Sequence, residues 1–330
     1  MLSQKFLEDL WYGKHPLSLI LAPVGWLYAA AILLRRLAYA GGILPVQRVA
    51  VPVIVVGNLT VGGTGKTPMV IWLAEYLLAH GHRPGIISRG YGGKAKKWPQ
   101  QVRPDSNPLM VGDEPVLIAQ RTRCPVAVSP RRYVAAREIL EYTDCDVLLC
   151  DDGLQHLSLA RDIEIAVIDG DRRFGNGRCL PSGPLREPVS RLKTVDMVVS
   201  NGKPWKNEYL MEYVPARLRS LADDGWEKDL EDFRGREIHT VTGIGNPSRF
   251  YSYLRKFEIR IIKHEFPDHY SYSSADLKFD DDLPVVMTEK DAVKCRDFAD
   301  NRVWYLPVTA KLGEAFQHRL SILLGELFDG

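Results

Sequence analysis

From Leu17 to Leu34 the chain reads LSLILAPVGWLYAAAILL, 18 residues without a charge, with Lys14 and His15 before it and Arg35 and Arg36 after it. That length is the lower limit for crossing a bilayer, and Pro23 and Gly25 weaken a straight helix. Trp11, Trp26 and Tyr28 suit an interface, where an apolar ring body and a polar tip are both accommodated. The segment is expected to be a membrane-associated helix; the pattern leaves open whether it spans the bilayer or lies on it. No small-residue cleavage site follows, so a secretory leader is not expected.

Beyond Gly41-Gly42 the pattern changes to short apolar, β-branched runs separated by helical periodicity. Strands are predicted at Val51–Val56, Gly85–Ser88, Pro125–Val128, Val147–Cys150, Ile163–Ile168 and Val195–Ser200. Helices are predicted at Thr67–His80, Val116–Arg121 and Tyr133–Glu141. Alternation of this kind predicts a mostly parallel sheet with helices on both faces. Lys203 to Arg236 is polar and irregular and reads as a linker or excursion. A second α/β set follows: strands at Glu237–Thr242, Glu258–Lys263, Leu283–Thr288 and Val303–Val308, a helix from Pro247 and a final helix over Lys311–Leu327. The expected division is an N-terminal membrane-associated segment over 1–45, a core domain over 46–235 and a smaller α/β domain over 236–330. The last strand and helix are free to pack back on the core.

With 330 residues the chain can bury a substantial core, and 45% hydrophobic and 25% charged residues are ordinary for a globular protein. A formal net charge of +2 gives no reason to expect a nucleic-acid partner. The five cysteines form no C-x-x-C pair, so neither a zinc site nor a disulfide framework is indicated.

The strand–loop–helix at Val55–Pro68, VVGNLTVGGTGKTP, carries the first chemistry. It matches the second half of the phosphate-loop pattern G-x-x-x-x-G-K-[ST], but Thr60 stands where the first glycine belongs. Backbone N–H groups from Thr60, Val61, Gly62, Gly63, Thr64 and Gly65, at a helix N-terminus, suit phosphate oxygens. Lys66 would reach the β- and γ-phosphates, and the Thr67 hydroxyl would coordinate Mg²⁺. VLLCDDGLQH places Asp151 and Asp152 directly after an apolar strand, where a metal-binding carboxylate of such a site belongs. Together these predict a P-loop NTPase-type fold with ATP and Mg²⁺ as ligands. The loop also resembles the G-G-x-G-K-T variant of membrane-associated partition ATPases, but Val61 stands in place of their signature lysine.

Four further stretches accompany these motifs: SRGYGG (88–93), GDEP (112–115), FGNGRCLPSGPLREP (174–188) and FPDH (266–269). The set closely resembles the tetraacyldisaccharide 4′-kinase family of lipid A biosynthesis, from the apolar N-terminus to MTEKDAVKC (287–295). That family commonly keeps a non-glycine at the Thr60 position. The resemblance implies an enzyme at the cytoplasmic face of the bacterial inner membrane that phosphorylates the 4′-hydroxyl of a lipid A disaccharide 1-phosphate, with no obligate protein partner. It implies Asp113 as the base that accepts the hydroxyl proton, with His269 orienting it or tuning its charge. It makes Arg89, Tyr91, Arg132 and Arg186 candidates for the anionic substrate, since arginine forks match phosphate oxygens. Glu187 is open to three roles: contact with the sugar, a water-mediated link to magnesium, or support of Arg186. Lys94–Lys97 would lie against anionic headgroups. Asn201 and the TEKD stretch are candidates for the nucleobase, without forming a recognisable motif.

Three other function classes fit parts of the sequence, and one of them, a non-enzymatic nucleotide-binding scaffold, has no use for Lys66, Thr67 and Asp152. A membrane-bound ATPase switch would use the phosphate loop but leaves LPSGPLREP without a use. A soluble kinase or ligase leaves the apolar stretch without one.

Overall fold

The computed structural model describes residues 4–328 apart from Asp224, so the outermost residues of the first and last expected segments lie outside the described residues. The apolar N-terminus folds as α1 (Gln4–Tyr12), α2 (Leu17–Ile20) and α3 (Ala22–Ala40). The 18-residue run is therefore divided: the helix is interrupted at Leu21, with Pro23 in the first turn of α3, where its missing N–H costs nothing. No described helix is long and apolar enough to cross a membrane.

The main sheet begins with β1 (Val53–Gly57), which the phosphate loop joins to α4 (Lys66–Ala79). Then come β2 (Pro84–Ser88), β3 (Gln100–Val102), α5 (Pro108–Val111), α6 (Asp113–Thr122), β4 (Val126–Val128), α7 (Arg132–Tyr142), β5 (Val147–Asp151), β6 (Ile163–Asp169) and β7 (Met197–Asn201). β8 (Tyr209–Pro215), β9 (Leu218–Ser220) and β10 (Glu227–Lys228) occupy the stretch read as a linker. The remaining elements are β11 (Glu237–Thr242), α8 (Ser248–Lys256), β12 (Arg260–Glu265), β13 (Val285–Thr288), α9 (Glu289–Ala292), β14 (Val303–Leu306), β15 (Val308–Leu312) and α10 (Glu314–Phe328).

These strands form two sheets. The nine-stranded sheet has the order β15-β8-β7-β6-β1-β5-β2-β4-β3, and the six-stranded sheet β10-β9-β14-β13-β11-β12. From β8 to β4 every neighbouring pair in the large sheet is parallel, and only the edges β3 and β15 run antiparallel. Side chains alternate across the strands: Ile54 and Val56 face the helices α4, α6 and α10, while Val53 and Val55 face α7 and α3. Covering both faces is what makes these strands read as continuous apolar runs.

Two sequence expectations are corrected here. Residues 203–236 are not a plain linker, because their partly apolar alternation supplies one strand to the first sheet and two to the second. Lys311 does not open the last helix: it pairs with Glu212 in β15, and the helix starts at Glu314. The chain crosses between sheets twice over short distances, from β8 to β9 and from β14 to β15, and the Ala216 N–H bonds the Pro307 carbonyl at 2.9 Å where the crossings meet.

Candidate active site

β1, β2, β5, β6 and β7 end at Gly57, Ser88, Asp151, Asp169 and Asn201, which lie along one edge of the sheet. Ligands of open parallel sheets bind outside this carboxyl edge. Gly62 and Gly65 adopt φ of 103° and 106°, a region closed to most side chains. Asn201 donates to the Thr64 carbonyl at 3.1 Å, so its amide supports the loop.

The Thr60 mismatch has a local cause. Thr60 forms an antiparallel bridge with Leu185, flanked by Val61 N–H to Pro184 O at 2.8 Å and Arg186 N–H to Leu59 O at 2.6 Å. The first half of the loop is thus a short paired strand, a conformation in which threonine is favoured and glycine is not. The same 174–188 segment touches the N-terminal helices. Ser182 Oγ donates to Ser18 O at 2.6 Å, Tyr28 Oη donates to Arg186 O at 3.2 Å, and a Cβ at Gly25 would come within 2.9 Å of Cys179 O. LPSGPLREP is therefore held between α3 and the phosphate loop.

The two aspartates after β5 are used differently. Asp152, at φ 48°, is gripped by the Arg186 fork at 2.8 and 3.0 Å, and Lys66 Nζ lies 3.6 Å from it. Burial works against its charge, but Lys66 and Arg186 outweigh this and hold the carboxyl below the usual range. Asp151 is 1% exposed and accepts from Ser88 Oγ at 3.1 Å, while its Oδ1 has no hydrogen-bond partner. Burial first, then Glu114 and Asp152, push its carboxyl up. Lys66 and Arg132 pull the other way without outweighing this, and a buried oxygen with no hydrogen-bond partner suits a hard divalent ion. Thr67, in the first turn of α4, completes a donor set that fits Mg²⁺, which takes few protein ligands and shares substrate phosphates.

Asp113 and His269, 156 positions apart in sequence, meet across the two sheets: His269 Nδ1 lies 3.1 Å from both Asp113 carboxylate oxygens. Asp113 opens α6 after Gly112, and the Glu114 N–H bonds its Oδ1 at 2.9 Å. Burial opposes its ionisation, yet Lys290, His269 and Lys294 together hold its carboxyl below the usual range. Burial likewise opposes the imidazolium, but the hydrogen bond that its Nδ1–H donates to Asp113 wins and raises the His269 pKa. The aspartate side chain is 4% exposed and the histidine 20%. Tyr91 stands over His269 with ring centroids 4.9 Å apart.

The remaining candidates divide into two groups. Arg89 and Tyr91 are exposed at the end of β2. Arg132 is buried and donates to the carbonyls of Ser129, Asp151 and Asp152, bracing the aspartate turn. Glu187 is buried as well. It accepts from Gln155 at 2.8 Å and lies 3.5 Å from Arg191, tying down the loop without taking a place in the Arg186 fork.

A sequence model of the family described as tetraacyldisaccharide-1-P 4'-kinase (LpxK) matches residues 17–324. The chain belongs to that family. It is 53% identical over 314 residues to the tetraacyldisaccharide 4'-kinase of Nitrosococcus oceani, covering 95% of this chain and 93% of that one. Identity is 46% to the enzyme of the same name from Hahella chejuensis, with 98% and 97% covered. The crystal structure of LpxK from Aquifex aeolicus in complex with ATP superposes with a TM-score of 0.79 at 29% identity, covering 94% of this chain and 99% of that one.

Several residues around the candidate site carry no signal in the sequence. Asn58, which takes the Arg186 guanidinium together with Asp152, sits inside the loop motif but has no signature. Arg172 joins Gly63 O at 2.9 Å to Gly245 O at 3.4 Å, and Arg249 of α8 reaches Asp169 at 3.1 Å and Asn201 O at 2.6 Å. Of the TEKD stretch, Lys290 lies against Glu114 and Asp268.

Proposed function

We propose that the chain transfers the γ-phosphate of ATP to the 4′-hydroxyl of tetraacyldisaccharide 1-phosphate, forming lipid IVA. The Asp113–His269 pair, set across from the phosphate loop, is the observation that carries this reading, because a switch ATPase has no use for a proton acceptor built between two sheets. The phosphate-loop N–H groups and Lys66 would hold the donor. Thr67, Asp151 and Asp152 would hold Mg²⁺, which supplies charge neutralisation on the phosphates.

Within the pair, the geometry supports a division of labour opposite to the one read from sequence. Asp113 is the buried partner that fixes the ring through Nδ1, and Nε2, 3.8 Å from Asp268, would be the atom that takes the proton of the acceptor hydroxyl. Arg89 and Tyr91, exposed beside the pair, are placed to meet the anionic disaccharide; Arg132, Arg186 and Glu187 act through the loop they hold.

The acceptor's acyl chains explain the N-terminus. Leu19, Ile20, Val24, Trp26, Leu27 and Leu34 are exposed on α2 and α3, while Gly25 and Tyr28 face the LPSGPLREP loop. We infer that this apolar stripe rests in the cytoplasmic face of the inner membrane, with Lys94, Lys96 and Lys97 exposed toward anionic headgroups. The division into an N-terminal segment, a phosphate-loop domain and a smaller domain is proposed on the two sheets, with 218–228 counted to the smaller domain and β15 and α10 to the larger.

The deciding experiment incubates the protein with Mg-ATP and the lipid disaccharide 1-phosphate in detergent and weighs the lipid. A gain of one phosphate, absent in Asp113→Ala, is expected. ATP loss without a change in lipid mass would overturn the kinase reading in favour of a switch.

A further inference from the structure

α9 is a single turn, yet its surroundings fix it firmly. Thr288 caps it, accepting from the Asp291 N–H and donating to Asp291 Oδ2 at 2.6 Å. Asp291 is fully buried and also accepts from the Gly243 N–H and the Tyr272 hydroxyl, each at 3.1 Å. Lys290 projects from this anchored turn. Its ammonium donates to Glu114 at 3.0 Å and to Asp268 at 3.3 Å. Glu114 directly follows Asp113, and Asp268 directly precedes His269 and takes its backbone N–H at 3.1 Å. One cation therefore ties together the chain neighbours of both members of the pair, which come from different sheets.

His269 adds a reason for such a tie. Its φ of 61° is unusual for a residue with a Cβ, and a backbone held there persists only where its surroundings over-determine it. We propose that Lys290 is a positioning residue for phosphoryl transfer, holding Asp113 and His269 in register across the seam between the sheets. This rests on the reading of that pair as the proton acceptor. The groups facing His269 are Asp113 from α6, Asp268 from its own loop, the Tyr91 ring and Lys290, with Lys294 behind Asp113 at 3.8 Å. Lys290 opposes the imidazolium, so it also keeps the ring neutral to lower pH.

The test is steady-state kinetics of the full chain on Mg-ATP and the lipid acceptor across pH. Lys290→Met is expected to lower kcat by roughly 10- to 100-fold, the scale of a small misplacement of reacting groups, with the KM for ATP unchanged. Its acid limb should move to higher pH. Lys290→Arg, which keeps the charge, should recover most of the turnover and the parental limb. Glu289→Gln loosens the same seam at its pair with Arg121 (2.9 Å), away from His269, and should leave the limb in place. If Lys290→Met fails to fold, Lys290→Gln, which keeps a donor without the charge, carries the same comparison. Parental kcat and limb in the Lys290 variants would overturn the proposal, as would a uniform loss at every pH shared by Glu289→Gln. Asp113→Asn and His269→Ala are measured alongside. Parental turnover in those two would overturn the proton-acceptor reading itself, whereas their failure beside parental Lys290 variants would overturn this inference alone.

Discussion

The phosphate loop and the Asp113–His269 pair are built in contrasting ways. The loop, Lys66 and both aspartates after β5 belong to one sheet, and their supports (the Leu185 bridge, the Arg186 fork and the Asn201 amide) lie in the same sheet or its loops. The pair takes one member from each sheet and depends on Lys290, from a third segment, to keep them together. The donor site draws its chemical groups from one body, and the second body reaches it only through the ties of Gly245 and Arg249. On the proposed reading, a proton acceptor across the seam would work only when the bodies are assembled, which would reserve phosphoryl transfer for that state and limit waste of ATP on water.

Mutations should separate the two halves. Asp113→Asn keeps the shape but misassigns the ring proton, and kcat should fall on the order of 10³- to 10⁴-fold with ATP affinity unchanged. Steady-state kinetics with a nucleotide-binding titration checks this, and parallel losses in both would break the contrast. Lys66→Ala acts on the other half: kcat/KM should fall roughly 10²- to 10³-fold, with weakened nucleotide binding visible in the same titration. The pH profile gives a smaller signal. Since Asp113 raises the His269 pKa, turnover should fall as pH drops through a value above the ordinary histidine one of about 6.5. In Asp113→Asn the residual activity should persist to lower pH, and a limb that stays put would dissociate His269 from proton transfer. The smallest effect belongs to Thr60→Gly. It restores the general phosphate-loop pattern but loosens a paired strand, so stability should drop by about 0.5–1 kcal/mol in thermal melts while kcat stays within about twofold.

The same contrast governs what the sequence could reveal. Gly62, Gly65, Lys66 and Asp151-Asp152 are legible because a phosphate loop and an acid pair after a strand are contiguous, and the parallel sheet is legible because strands covered on both faces read as apolar runs. Arg186 was identifiable as important, but its fork on Asp152 depends on a fold-back that no local pattern encodes. Strands 218–220 and 227–228 were hidden because strands of three and two residues are too short to carry an apolar pattern. The break at Leu21 was foreshadowed by Pro23, whereas the place of Lys290 was not, since its partners lie 22 and 176 positions away.

One consequence concerns the order in which the molecule is made. β15 closes the edge of the nine-stranded sheet beside β8, and Phe316 of α10 packs against Trp72 of α4 and Tyr209 of β8. The nucleotide-binding body therefore borrows its last strand and a covering helix from the end of the chain. A ribosome delivers that strand only after the whole second sheet has emerged, so the first body waits with an open edge and an uncovered aromatic face. Truncations that stop before Val308 should consequently be recovered as aggregates rather than as a free nucleotide-binding fragment.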